Sequence, residues 1–113
     1  MALPRLLNYL KSHRKRSCLS QDDVAFLLGV ESGAKICRYE RGTRLPNLVA
    51  ALALETVFRK PIATLFPALY RRIELEVQTR AKELLKKEGN ARTAALENRR
   101  REILEAIINE SLN

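Results

Sequence analysis

Long hydrophobic runs are missing from this 113-residue chain. No apolar stretch approaches the roughly 20 residues that a bilayer-crossing helix requires, which excludes such a helix. A secretory leader pattern is missing too: in the opening MALPRLLNYLKSHRKR the basic cluster follows the apolar residues instead of preceding them. The expectation is a cytoplasmic protein. Cysteine is limited to Cys18 and Cys37, with no CxxC spacing, and the single histidine, His13, lacks metal-ligand neighbours. Neither a zinc site nor a disulfide framework is indicated. There is no nucleophile–base pair, no phosphate-binding loop and no converging set of carboxylates, so no enzyme, cofactor or metal is expected.

What is present belongs to the globular class: 46% apolar and 30% charged residues, enough for one core of ordinary size. The formal charge is +8, from 21 basic and 13 acidic side chains, and it is unevenly spread. Residues 1–67 carry 11 Lys/Arg against 5 Asp/Glu, whereas residues 68–113 carry 10 against 8. A basic excess in the N-terminal part suits a polyanionic partner.

Period-2 alternation is not sustained anywhere, and apolar residues recur at three- and four-residue steps, so the chain reads as all-α. A first helix is expected from Pro4, with Leu6, Leu7 and Leu10 on its apolar side. Ser20 is placed as the N-cap of a second, with Asp22 and Asp23 in its first turn and Gly29 closing it. A third is expected from Ser32 to near Gly42, with Ile36, Tyr39 and Glu40 on one face. Asn47 then caps a fourth, LVAALALETVFR, expected to be largely buried, and PIATLFP forms a short helical turn.

From Ala68 the composition shifts to Glu, Arg, Lys, Leu and Ala, as in exposed amphipathic helices. Leu69, Ile73, Val77, Ala81 and Leu85 form one stripe; after a break at Gly89-Asn90, Leu96, Ile103, Leu104, Ile107 and Ile108 form another. Glu76–Arg80, Glu83–Lys87 and Glu97–Arg101 are expected as supporting i,i+4 pairs. The stripes must pack on each other, on the first unit or on another subunit. Arg99-Arg100-Arg101 is read as a solvated face, because three consecutive helical residues point three ways.

Residues Leu19 to Phe66 resemble the helix-turn-helix family of lambda repressor, Cro and the xenobiotic-response-element (XRE) regulators. The resemblance rests on LSQ at 19–21, VA at 24–25, LLGV at 27–30, ICRYERG at 36–42, RLPN at 44–47 and LFP at 65–67. It implies a five-helix lambda-repressor-like DNA-binding domain over residues 1–67, followed by two C-terminal amphipathic helices over 68–113. It also implies that Gln21 contacts phosphate and that Arg14 forms a buried ion pair with Glu40. Two features depart from the family. Gly29 and Ile36 stand one residue further apart than usual, an insertion to be absorbed around Glu31 and Ser32, with Glu31 near the positive end of the third helix. Cys18 occupies a spot where glycine commonly turns the chain.

With Ile36 inward, about 100° per residue sends Ala34, Arg38 and Arg41 outward and Lys35 to a flank. Arg38, Ala34 and Lys35 are the candidate base contacts; Gln21, Ser32, Gly33, Arg41, Arg44 and Asn47 are candidates for phosphate. The function expected is a transcriptional regulator, a repressor that binds an inverted-repeat operator in double-stranded DNA as a homodimer. Leu69, Ile73, Val77, Leu84, Ile103 and Ile107 are the candidate dimerisation residues. The alternative is an antitoxin or phage-immunity protein whose C-terminal helices bind a toxin-like partner while the N-terminal part autoregulates on DNA.

Overall fold

A computed structural model describes residues 7–87 and 93–110. It is all helical among the described residues: α1 Leu10–Arg16, α2 Gln21–Leu28, α3 Gly33–Arg41, α4 Leu48–Phe58, α5 Ile62–Leu65, α6 Pro67–Lys86 and α7 Ala94–Glu110. Contacts divide the chain between Tyr70 and Arg71 into two compact units. That boundary lies three residues beyond the Pro67 boundary expected from composition, because Leu69, in the first turn of α6, packs on the first core.

The expected helix start at Pro4, with Leu6, falls outside the described residues. Leu7 precedes α1 and is exposed, whereas Leu10 faces the core. The cause is local. Asn8 accepts from the Leu10 amide through Oδ1 and donates through Nδ2 to the Tyr39 carbonyl, while the Tyr9 amide donates to the Leu65 carbonyl. Residues 8 and 9 are thereby spent on tying α1 to α3 and α5.

Helix α2 opens with a reciprocal capping box, in which Ser20 accepts from the Asp23 amide and Asp23 accepts from the Ser20 amide. It closes at Gly29, whose φ of 72° is the left-handed conformation that an L side chain resists. The Val30 amide then returns to the Ala25 carbonyl, fixing the turn. Cys18 adopts the same conformation between α1 and α2, at φ 58°, so the thiol-bearing residue makes a turn suited to glycine. Arg59 does so after α4, at φ 53°.

The first core comprises Leu10, Val24, Ala25, Ile36, Tyr39, Ala50, Leu54, Phe58, Leu65 and Phe66, drawn from all five short helices and the α5–α6 junction. Leu10, Val24, Ile36, Tyr39, Leu54 and Leu65 are essentially inaccessible, and burial stabilises such side chains by about 1.5–3 kcal/mol each. Small Ala25 lets α2 and α3 pack closely. The expectation that α4 is largely buried is corrected: Ala50, Leu54 and Phe58 face inward, whereas Leu48, Val49 and Leu52 are exposed. A helix that is apolar all round still turns only one face to a core supplied by a few short neighbours.

In the second unit α6 and α7 run antiparallel. Gln78 Nε2 donates to the Ile107 carbonyl and Arg100 Nη2 to the Leu84 carbonyl, with Gln78, Ala81 and Leu104 buried between the helices. The expected break at Gly89-Asn90 lies outside the described residues. The single stripe expected on α6 is divided, because four-residue steps advance about 40° each around a helix. Ala81 and the half-buried Leu85 turn toward α7, while Ile73 and Val77 stay exposed on the flank. On α7, Ile107 and Ile108 are half-buried and Leu96 and Ile103 exposed.

The ion pairs also differ from expectation. Among the described residues, Glu76 is taken by Arg72 and Glu97 by Arg100, with Arg71–Glu74 and Arg99–Glu102 alongside; the expected pairs Glu76–Arg80, Glu83–Lys87 and Glu97–Arg101 do not form. Arg100 bridges Glu97 and the Leu84 carbonyl.

Candidate nucleic-acid interface

Helix α3 is held from behind on three sides. Its inner residues Ile36 and Tyr39 enter the core. Glu40, with a side chain only 3% exposed, accepts from Arg14 Nε at 2.5 Å and Nη2 at 3.3 Å, and from Gln21 Nε2 at 3.0 Å. Arg14 Nη1 donates in turn to the Leu19 carbonyl at 3.0 Å. One buried carboxylate thus joins α1, α2 and α3. Such a pair needs its remaining polar atoms satisfied to offset desolvation, and the Leu19 carbonyl and Gln21 amide supply those contacts.

The N-terminus of α3 is closed by a neighbouring helix. Ser32 occupies the N-cap backbone position but its side chain makes no capping bond. Instead Asp22, on α2, accepts from the Gly33 amide through Oδ1 at 3.0 Å. Negative charge at this end is favourable because the first amides of a helix point outward unpaired. Glu31, expected near the same end, stands exposed in the turn before Ser32. Asp22 is a residue that sequence reasoning missed in this role: its place in the first turn of α2 signalled only that helix's own dipole.

The candidate residues fall into two groups. Ala34, Arg38, Arg41 and Arg44 are exposed, and Lys35 is half-exposed on the flank of α3. Among the described residues none of these four cations makes a salt bridge. Ser32 is exposed with its hydroxyl uncommitted to capping. Asn47 is exposed while its side chain accepts from the Ala50 amide at 2.9 Å as the N-cap of α4.

Gln21 and Gly33 stand apart from that surface. Gln21 is half-buried with one amide hydrogen given to Glu40, leaving the second as its remaining donor. Gly33 is buried and its N–H faces Asp22, which corrects the expectation that it offers backbone to a phosphate. The absence of a side chain there serves helix packing: an added Cβ would lie 2.5 Å from Asp22 Oδ1 and 3.0 Å from the Asp22 backbone nitrogen.

The turn between α2 and α3 precedes the helix. Gly29 is left-handed, Val30 is half-buried against the core, and Glu31 and Ser32 are exposed. Ile36, on the inner side of α3, is fully buried in the core. Among the described residues no group of His, Cys, Asp and Glu is arranged to hold a metal ion. Chemically, the outward surface offers guanidinium forks and an ammonium beside a small methyl, a set matched to phosphate oxygens and to the O6/N7 edge of guanine. Comparison with protein-family models, with curated proteins and with solved structures finds no match for this chain.

Proposed function

We propose that this chain is a sequence-specific DNA-binding transcriptional regulator of the helix-turn-helix kind, acting as a homodimeric repressor on an inverted-repeat operator. The observation that carries this reading is the asymmetry of α3. One side is locked by Ile36, Tyr39 and the Arg14–Glu40–Gln21 cluster, while the opposite side presents Ala34, Arg38 and Arg41 with no ion-pair partners among the described residues. A rigid helix bearing free cations fits the major groove, where Arg38 would read guanine and Ala34 would meet a thymine methyl. Lys35, Arg41, Arg44 and the Asn47 amide would hold the flanking backbone.

The resemblance over residues 19–66 supports the same reading, as does the basic excess of residues 1–67. A dimer would set two such helices about 34 Å apart, one turn of the duplex. The direct test is selection of bound sites from random double-stranded DNA by the full chain. Recovery of a palindromic site supports the proposal; recovery of an unenriched pool, at salt low enough to retain DNA, would refute it.

A further inference from the structure

The second unit leaves an apolar surface with no partner. At about 100° per residue, Ile73, Val77 and Leu84 share one flank of α6, a quarter-turn from the Gln78–Ala81 side that meets α7. Leu96 and Ile103 occupy the corresponding flank of α7. Because the two helices run antiparallel, both flanks fall on the same face of the hairpin. All five side chains are between 44% and 56% exposed. Two-helix units commonly bury such a face by forming a four-helix bundle.

The charges beside this flank choose the occupant. Arg80 lies on the line of Ile73, Val77 and Leu84, and among the described residues it has no ion-pair partner, since Glu76 is bound by Arg72 at 3.3 Å. Ile73 and Leu84 are equally distant from the middle of the Gln78–Thr79 step, and Glu76 and Arg80 flank almost the same point. Two antiparallel copies of α6 related by a two-fold axis there would set Ile73 of each against Leu84 of the other. The same register brings Arg80 of each copy to Glu76 of the other. The face is self-complementary in the placing of both its apolar side chains and its charges.

We infer that a second copy of this chain docks here, α6 against α6 antiparallel, with Arg80 as the polar residue that fixes register. This rests on the homodimer part of the function proposed above and names its interface. The test is sedimentation of the full chain without DNA, so that its result is independent of whether the protein binds operator. The wild type sediments as a dimer. Glu76→Arg and Arg80→Glu each weaken self-association by about tenfold or more, because like charges then face each other at two symmetric places.

An equimolar mixture of the two variants regains the dimer, now of mixed composition by native mass spectrometry, since one rim is wholly basic and the other wholly acidic. Pairing within one helix is not regained in that mixture, so the rescue reports contact between copies. Leu75→Lys, on the opposite flank of α6, leaves the dimer unchanged, and circular dichroism verifies that each variant keeps its helix content. A wild-type chain that remains monomeric, charge variants that dimerise like the wild type, or a mixture that stays monomeric would each overturn the inference.

Discussion

The Asp22 carboxylate closes the N-terminus of α3 by accepting from the Gly33 amide at 3.0 Å, and the same oxygen occupies the space a Gly33 side chain would need. The two residues therefore depend on each other. Gly33→Ala gains helix propensity of up to about 1 kcal/mol but must displace Asp22 and strain backbone already at 3.0 Å. A net loss of about 1 kcal/mol is expected in urea denaturation. In an Asp22→Ala background, itself weakened by about 1 kcal/mol through loss of the cap, the same change should cost less. Strict additivity of the two would show that the contact is not what limits residue 33.

Removing Glu40 leaves the Arg14 guanidinium buried without a counter-charge. Glu40→Ala should destabilise the first unit by about 3–5 kcal/mol, whereas Gln21→Ala, which removes one of three donors to Glu40, should cost about 1 kcal/mol. Thermal unfolding of both variants distinguishes a central ion pair from a peripheral one. Equal losses would contradict the ranking.

Cys18 and Arg59 both hold left-handed backbone, at φ 58° and 53°. A side chain costs about 1–2 kcal/mol there, while glycine's greater freedom in the unfolded chain returns about 0.5–1 kcal/mol of that. Cys18→Gly and Arg59→Gly should each stabilise by roughly 0.5–1 kcal/mol, and the gains should add because the sites are separate turns. A drop in melting temperature for either would argue that its side chain is bonded in solution.

Neighbouring leucines of α4 should respond very differently to truncation. Leu54 is fully buried and Leu52 is 55% exposed. Leu54→Ala should cost about 2–5 kcal/mol, and Leu52→Ala about 0.5 kcal/mol or less. Chemical denaturation measures both. A large loss at Leu52 would mean that the outward face of α4 is covered in solution.

On DNA, Arg38→Ala should remove discrimination between the selected site and a scrambled one, a loss of about 1–3 kcal/mol, while weak binding persists. Arg44→Ala should instead weaken binding to both sequences alike and lower the salt dependence by about one unit. Titrations at several salt concentrations separate the two effects. Undiminished discrimination in Arg38→Ala would remove it as the base reader.

The sequence by itself determined the all-helical class and the signals that bound α2, α3 and α4. Ser20, Gly29, Gly42 and Asn47 act on backbone groups within a few residues of themselves, so their effect is readable locally. The outward set on α3 was equally legible, because helix periodicity alone places Ala34, Arg38 and Arg41 opposite Ile36. Tertiary structure decided the rest. The Asp22–Gly33 cap and the Gln21–Glu40 bond join residues on different helices, and no local pattern announces them. The outward face of α4 and the divided stripe of α6 depend on which surfaces neighbouring helices can cover. Hydrophobic side chains show what could be buried; only the packed chain shows what is.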